Sequence, residues 1–158
     1  MNKDITGRKK EQETLIRLMD SNESEFIAIY GRRRVGKTFL VRKLLSDQFS
    51  FYITGMDNVT MQDQLLNFTL ELRKFSGQDI PVPINWLYAF EALSQYLESL
   101  PDGKKVVFMD ELPWMDTPKS NFISALEHFW NSWASARSDI KLIVCGSATS
   151  WMIDKLIN

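Results

Sequence analysis

The sequence predicts an α/β fold in which a parallel sheet is flanked by helices. Short apolar runs alternate along the chain with segments of helical periodicity, and this alternation is typical of right-handed crossovers between parallel strands. The length and the ordinary hydrophobic content of 44% predict a single domain over residues 1–158. The four expected strands are Phe26–Tyr30, Phe49–Ile53, Val106–Met109 and Ile140–Cys145.

Helical periodicity predicts helices in several of the segments that lie between these strands. In Met61–Phe75 the apolar side chains recur every three or four residues, which places them on one helix face. Aromatic residues in later segments have a similar spacing, so we interpret them as core positions rather than base-stacking surfaces. Pro81 and Pro83 predict a loop over Gly77–Pro83. The expected helices are Glu11–Met19, Lys37–Gln48, Met61–Phe75, Trp86–Leu97, Phe122–Arg137 and Thr149–Ile157.

The residues after the first strand form a phosphate-binding loop motif. Gly31–Thr38 has the sequence GRRRVGKT, which matches GxxxxGK[ST] between a strand and a helix. Glycines in such a loop let backbone N–H groups turn toward phosphate oxygens, and the following helix N-terminus adds positive potential. Lys37 is expected to reach the β- and γ-phosphates, and the Thr38 hydroxyl to bind Mg²⁺. The expected nucleotide-binding residues of this loop are Gly31, Arg32, Arg33, Arg34, Val35, Gly36, Lys37, Thr38 and Phe39.

Two adjacent acids follow the third strand. Asp110 and Glu111 stand at its carboxyl end, where ligands bind in open α/β sheets. Asp110 is expected to hold the Mg²⁺ shell, and Glu111 to act as a general base on the water that attacks the γ-phosphate. The alternative is that the pair caps the following helix.

The fourth strand also ends in polar residues, with Ser147 and Thr149 on either side of Ala148. A hydroxyl here either points at the γ-phosphate beside the acids or caps the next helix, and the two interpretations are compatible. Phe26–Tyr30 is expected to neighbour Ile140–Cys145, which neighbours Lys105–Met109, with Ser50–Ile53 outermost. This order resembles that of P-loop ATPases in which one strand is inserted between the two motifs.

Composition excludes several classes of function. A net charge of −1 gives no global basic field that would draw nucleic acid or an acidic membrane. Cys145 is the single cysteine and lies in an apolar run, so we expect an inert core thiol and no internal disulfide. The lone His128 argues against a zinc site. No stretch approaches transmembrane length and the N-terminus lacks a secretory apolar segment, so a cytoplasmic location without membrane association is expected.

Together these motifs resemble the AAA+ superfamily of P-loop NTPases and, more narrowly, the archaeal-type ATPases. Four segments that span nearly the whole chain carry the resemblance, namely Ile5–Leu15, Tyr30–Thr38, Val106–Met115 and Leu142–Trp151. The resemblance implies an AAA+ core of the ASCE type with ATP and Mg²⁺ as ligands. It implies Thr38 and Asp110 as metal ligands, Lys37 and Glu111 as catalytic residues, and Ser147 as the catalytic sensor of the fourth strand. It also implies adenine contacts around Gly7 and Arg8, with Ile5 as a packing surface.

The sequence departs from this family pattern at its C-terminal end. Such ATPases continue into a fifth strand beside the phosphate-loop strand and then into a helical lid, whereas this sequence stops within a helical pattern at residues 156–158. The resemblance therefore implies an N-terminal fragment that lacks the last strand and the lid. With Phe26–Tyr30 at an edge, we expect self-association there or cover from the N-terminal segment. The candidate arginine fingers are Arg137 and the triplet 32–34.

The function expected from the sequence is Mg²⁺-dependent ATP binding and hydrolysis. The alternative is a nucleotide-gated interaction switch or DNA-associated regulator with little turnover. A GTPase is disfavoured because no Asn-Lys-x-Asp follows a late strand, and a small-molecule kinase because no acceptor pocket is evident. Beyond ATP, we expect a protein partner or self-association, and nucleic acid contacts through regions outside this sequence stay open.

Overall fold

The computed structural model describes residues 2–31 and 36–157, with side chains over 10–31 and 36–156. The strands are β1 (Glu25–Tyr30), β2 (Phe49–Thr54), β3 (Lys105–Asp110) and β4 (Ile140–Gly146). They form one parallel sheet in the order β1-β4-β3-β2. The predicted α/β class and the predicted strand order are therefore confirmed.

The helices surround this sheet. They are α1 (Asn2–Asp20), α2 (Lys37–Leu45), α3 (Met61–Ser76), α4 (Trp86–Glu98), α5 (Leu112–Met115), α6 (Phe122–Ser132) and α7 (Thr149–Met152). A 3₁₀ turn at Ala134–Ala136 follows α6, and a π-helical turn at Ile153–Ile157 follows α7. Within the described ranges, none of the helices combines the length and apolar character that crossing a membrane requires.

Several predicted helix boundaries were wrong. Helix α2 ends at Leu45 rather than Gln48, because the chain must turn before β2 begins at Phe49. Helix α6 ends at Ser132 rather than near Arg137, because Trp133 leaves the helical region with φ −128° and ψ −62°. The sequence analysis also missed α5, a four-residue helix whose first turn contains Pro113.

Successive side chains of the strands point to opposite faces of the sheet and pack into two core layers. One layer joins one face of the sheet to α3, α4 and α6, where the predicted aromatic stripes are buried. Trp86 stands edge-on to Phe122, for example, with ring centroids 4.9 Å apart. The interpretation of these aromatics as core positions is therefore confirmed.

The second layer lies on the opposite face, under α1 and α2. Leu15 and Met19 of α1 pack there with Val41 of α2 and with Ile143 and Cys145 of β4. Burial raises the pKa of the Cys145 thiol, with a smaller contribution from the nearby carboxylate of Asp110. Cys145 is thus a buried, protonated core residue, as predicted.

Buried and partly buried charged side chains lie at the amino end of the sheet, where β3 and β4 begin. We call Lys105, Arg137, Asp139 and Lys141 the amino-end cluster. Arg137 donates from Nε and Nη2 to the two carboxylate oxygens of Asp139, at 2.9 and 2.8 Å, and Lys105 Nζ donates to the same carboxylate at 2.9 Å. The Arg137 guanidinium, a candidate arginine finger in the sequence analysis, is engaged at the end of β4 opposite the phosphate loop.

Lys141 fixes the end of α1 to the sheet. Its side chain is fully buried, and Nζ donates to the backbone oxygens of Leu18, Ser21 and Glu23 and to the Ser21 hydroxyl. Those carbonyls include that of Leu18 in the last turn of α1, which also accepts the backbone N–H of Ser21 at 3.3 Å. Burial lowers the pKa of this lysine, whereas the nearby Glu25 carboxylate opposes that effect. Sequence analysis had placed Lys141 only in an apolar strand.

Candidate nucleotide-binding site

The carboxyl ends of β1, β3 and β4 bring the predicted phosphate loop and the predicted acids to one place. Gly36 precedes α2 with φ 74° and ψ 29°, a left-handed conformation that favours glycine. This conformation lets the chain turn directly from the loop into the helix. Residues 32–35 lie outside the described residues, so the predictions for Arg32, Arg33, Arg34 and Val35 are untested.

Lys37 lies across the loop rather than in solvent. It is 8% exposed, and its Nζ donates to the carbonyl oxygen of Gly31 at 3.0 Å. The first residue of α2 is thereby joined to the end of β1. A lysine ammonium held at the helix N-terminus places positive charge where the loop is predicted to receive phosphate.

The Thr38 hydroxyl joins the loop helix to strand β3. Its Oγ1 donates to Asp110 Oδ2 at 2.7 Å, and Asp110 Oδ1 accepts the backbone N–H of Glu111 at 2.9 Å. Asp110 is 5% exposed, so these two bonds hold a largely buried carboxylate. The two residues predicted to bind a metal are therefore direct neighbours, although 72 positions separate them in the sequence.

Glu111 begins the α5 turn, by which we mean Glu111–Asp116. Its backbone has φ 51° and ψ 47°, a conformation that is uncommon outside glycine, asparagine and aspartate. The Ser147 hydroxyl donates to its Oε1 at 3.4 Å, a long hydrogen bond between the ends of β3 and β4. Among the described residues, no side chain caps α5 or α7. The capping alternative is therefore not observed for these two helices, and the roles of Glu111 and Ser147 in the site stay predictions.

Close backbone packing holds the α5 turn against neighbouring strands. Gly55, just after β2, donates its N–H to Asp110 O at 2.8 Å. At Gly146, the last residue of β4, an added Cβ would lie 2.7 Å from Pro113 Cδ. Only glycine lets the turn approach β4 this closely. The Trp151 indole donates to Asp116 Oδ2 at 3.0 Å and secures the other end of the turn.

Gln64 of α3 also contacts this turn, and the sequence analysis did not single it out. Its side chain is 1% exposed and donates to the carbonyl oxygen of Trp114 at 2.9 Å. A detectable signal was present, because Gln64 precedes Phe68 and Leu72 at intervals of four on the buried face of α3. A polar residue on such a face needs hydrogen-bond partners.

A groove of about 330 Å³ lies beside the phosphate loop, between α1 and β1. Its lining includes Lys10 and Leu15 of α1, Ile27 and Tyr30 of β1, and Leu40 of α2. The predicted adenine contacts belong to the same helix, α1. Ile5, Gly7 and Arg8 lie in the part of α1 for which only the backbone is described, so those assignments stay predictions.

The side chain of Phe39, a predicted nucleotide-binding residue, extends away from this site. Its side chain is 66% exposed, and Lys43 Nζ lies 6.0 Å from its ring centroid. The structure therefore places Phe39 on the outer surface of α2, and a nucleotide contact through its side chain stays a prediction.

The sequence matches a family model described as an ATPase domain predominantly from Archaea, over residues 5–158. The chain belongs to this family. The archaeal-type resemblance found in the motifs is thereby confirmed, and the chain is an ATPase-family domain.

Two relatives from Methanocaldococcus jannaschii have curated sequences. An uncharacterised protein is 30% identical over 154 residues, which is 98% of this chain and 32% of that protein. An uncharacterised ATP-binding protein is 49% identical over 44 residues, covering 28% of this chain and 75% of that protein. This ATPase domain therefore spans about a third of the length of the first relative.

Solved structures share the fold. A Walker-type ATPase of Pyrococcus abyssi superposes with a TM-score of 0.66 at 17% identity, covering 95% of this chain and 47% of that one. The Aeropyrum pernix ORC2 protein, in ADPNP and ADP complexes, gives 0.61 at 20% identity, covering 95% and 44%. A structure of Drosophila ORC bound to DNA gives 0.62 at 15% identity, covering 97% and 83%. At these identities the likeness establishes a P-loop ATPase fold.

Proposed function

We propose that this domain binds ATP with Mg²⁺ and hydrolyses the bond to the γ-phosphate. The observation that carries the proposal is the 2.7 Å hydrogen bond between Thr38 Oγ1 and Asp110 Oδ2. It joins the loop predicted to hold the phosphates to the strand that carries the predicted base. Family membership supports ATP as the nucleotide.

The oxygen donors suit a magnesium ion. Mg²⁺ is usually held by one or two carboxylates together with phosphate oxygens and water. Thr38 and Asp110 would hold it, and their mutual hydrogen bond would give way to shared coordination. Bound Mg²⁺ would neutralise charge on the phosphate oxygens during transfer.

We assign the remaining steps to three side chains. Lys37 would exchange its bond to the Gly31 carbonyl for the β- and γ-phosphate oxygens and stabilise their charge. Glu111 would accept a proton from the attacking water as a general base. The Ser147 hydroxyl, 3.4 Å from Glu111 Oε1, would orient that carboxylate or contact the γ-phosphate as a sensor.

The rest of the nucleotide would extend from the loop toward α1. The groove between α1 and β1 has apolar walls from Leu15, Ile27 and Leu40, which suit the flat face of a purine. We propose that Ile5, Gly7 and Arg8 complete the adenine contacts. The backbone of Gly31–Phe39 would surround the phosphates, with Arg32, Arg33 and Arg34 raising the local positive potential.

A nucleotide-gated switch with little turnover is the competing proposal. Solved relatives of the fold include ORC bound to DNA, so a DNA-associated regulator belongs to this alternative. Either function is compatible with a cytoplasmic protein that acts through a protein partner or through self-association.

Two substitutions in the full-length protein separate binding from hydrolysis. Lys37→Ala should abolish most ATP affinity, measured by calorimetry with Mg²⁺. Glu111→Gln should preserve that affinity and lower single-turnover hydrolysis by roughly 10²–10⁴-fold, because an amide cannot accept the proton.

Lys43→Ala is the matched control, since Lys43 is an exposed lysine on the same helix. It should leave both quantities unchanged. Equal turnover numbers for Glu111→Gln and the parent protein would refute the hydrolytic mechanism, and tight binding without turnover in the parent protein would favour the switch.

A further inference from the structure

The carboxamide of Gln64 connects two loops at the carboxyl end of the sheet. Its Nε2 donates to the carbonyl oxygens of Met56 and Trp114, at 2.5 and 2.9 Å, and its Oε1 accepts the Met56 N–H at 3.2 Å. Met56 follows β2, and Trp114 lies in the α5 turn. The buried amide of Gln64 therefore uses both of its donors and its acceptor to bind backbone groups of two segments outside the strands.

The α5 turn needs such support because of where Glu111 lies in it. A non-glycine residue with φ 51° persists only when its surroundings enforce that conformation. Glu111 faces Ser147 because the chain reverses immediately after it and enters Leu112–Met115. A shift of Trp114 would therefore be transmitted within three residues to the Glu111 carboxylate.

We propose that Gln64 is a positioning residue that aims Glu111 without touching the nucleotide. This inference rests on the proposed function of Glu111 as the base. Only glutamine offers a carbonyl acceptor and two amide donors at this side-chain length, whereas ionised glutamate lacks the donors and methionine has only a weak sulfur acceptor. The position of Gln64 on the inner face of α3 explains why its side chain is buried, but an apolar residue could also be buried there. The position alone therefore does not explain the presence of an amide.

Gln64→Met tests the inference in the full-length protein, because it keeps the approximate volume and removes the three hydrogen bonds. We expect the turnover number to fall roughly 10- to 100-fold, as small displacements of a catalytic group do. ATP affinity with Mg²⁺ should stay unchanged. Gln95→Met is the matched control, since Gln95 is exposed on α4 and its amide donates to Glu91 Oε1 on the same helix.

A double variant distinguishes positioning from a general loss of structure. If Gln64 acts through Glu111, Gln64→Met should not lower hydrolysis further in a Glu111→Gln background. Gln64→Asn retains the amide on a side chain that is shorter by one methylene. It should lower the turnover number less than Gln64→Met does. It also serves if Gln64→Met does not fold.

The outcomes separate the two proposals. Multiplicative losses in the double variant, or full turnover in both Gln64 variants while Glu111→Gln is inactive, would overturn the positioning role alone. Parent-like hydrolysis by Glu111→Gln would overturn the role of Glu111 and the inference with it.

Discussion

The carboxylates at the two ends of the sheet accept hydrogen bonds from different kinds of donor. At the amino end, Asp139 accepts three bonds from the cations Arg137 and Lys105. At the carboxyl end, Asp110 accepts one bond from the Thr38 hydroxyl and one from a backbone N–H. The donors to Asp139 are positively charged side chains, whereas the donors that the structure shows at Asp110 are a neutral hydroxyl and a neutral backbone N–H. This difference supports the proposed role of Asp110 as a metal ligand and indicates a structural role for Asp139.

The largest expected difference between the two ends is in ATP hydrolysis, after Asp110 or Asp139 is replaced by asparagine. Asp110→Asn should lower single-turnover ATP hydrolysis roughly 10²-fold or more, since metal ions contribute several kcal/mol to transition-state charge stabilisation. Asp139→Asn should leave hydrolysis unchanged and instead lower the free energy of unfolding. Hydrolysis assays and urea titrations on both variants check this, and parallel losses of activity would show that the two ends are not independent.

The next contrast concerns Lys141. Lys141→Met should lower the free energy of unfolding by about 2–4 kcal/mol, because several backbone oxygens around α1 and β1 lose a charged donor at once. Urea denaturation measures the change. Lys155→Met, an exposed lysine outside the cluster, is the control and should cost less than about 0.5 kcal/mol. A stable Lys141→Met variant would mean that methionine packing compensates for the lost bonds.

The smallest expected effect is the acid sensitivity of the amino-end cluster. The hydrogen bond from Arg137, followed by that from Lys105, lowers the pKa of Asp139 from 3.8 to about 2, although burial opposes the shift. A lowered folded-state pKa stabilises the fold above pH 4, and this contribution is lost as the pH falls toward 2. It amounts to at most about 2 kcal/mol, and solvent screening reduces it further.

Urea titrations between pH 6 and pH 2 test this acid sensitivity. The difference in unfolding free energy between the parent protein and Asp139→Asn should shrink across that interval. If this difference in unfolding free energy stays constant from pH 6 to pH 2, the stabilisation comes from hydrogen bonds that do not depend on the charge of Asp139.

The two ends also differ in how far the sequence predicts them. Contiguous motifs identify the loop and the acids, and strand order then brings Thr38 to Asp110, so much of the carboxyl end could be anticipated. Lys141 could not, because its acceptors lie about 120 positions earlier and leave no periodic pattern. The same reason hides the bond between Gln64 and Trp114, which are 50 positions apart. Local sequence patterns therefore identify the motifs of the candidate site. Hydrogen bonds between residues that are far apart in the sequence can be identified only in the folded structure.

Strand β1 has a consequence for the energetics of ligand binding. It pairs with β4 on one side, no strand of the described chain lies on its other side, and its residues are only partly buried, whereas β3 and β4 are buried throughout. In a polypeptide of these 158 residues, the amide protons of β1 should therefore exchange with solvent through local opening well below the global unfolding free energy. Because β1 leads directly into Gly31, each opening would release the phosphate loop as well. Part of the binding free energy of a nucleotide would then appear as slower exchange along β1, so the edge strand itself would report occupancy.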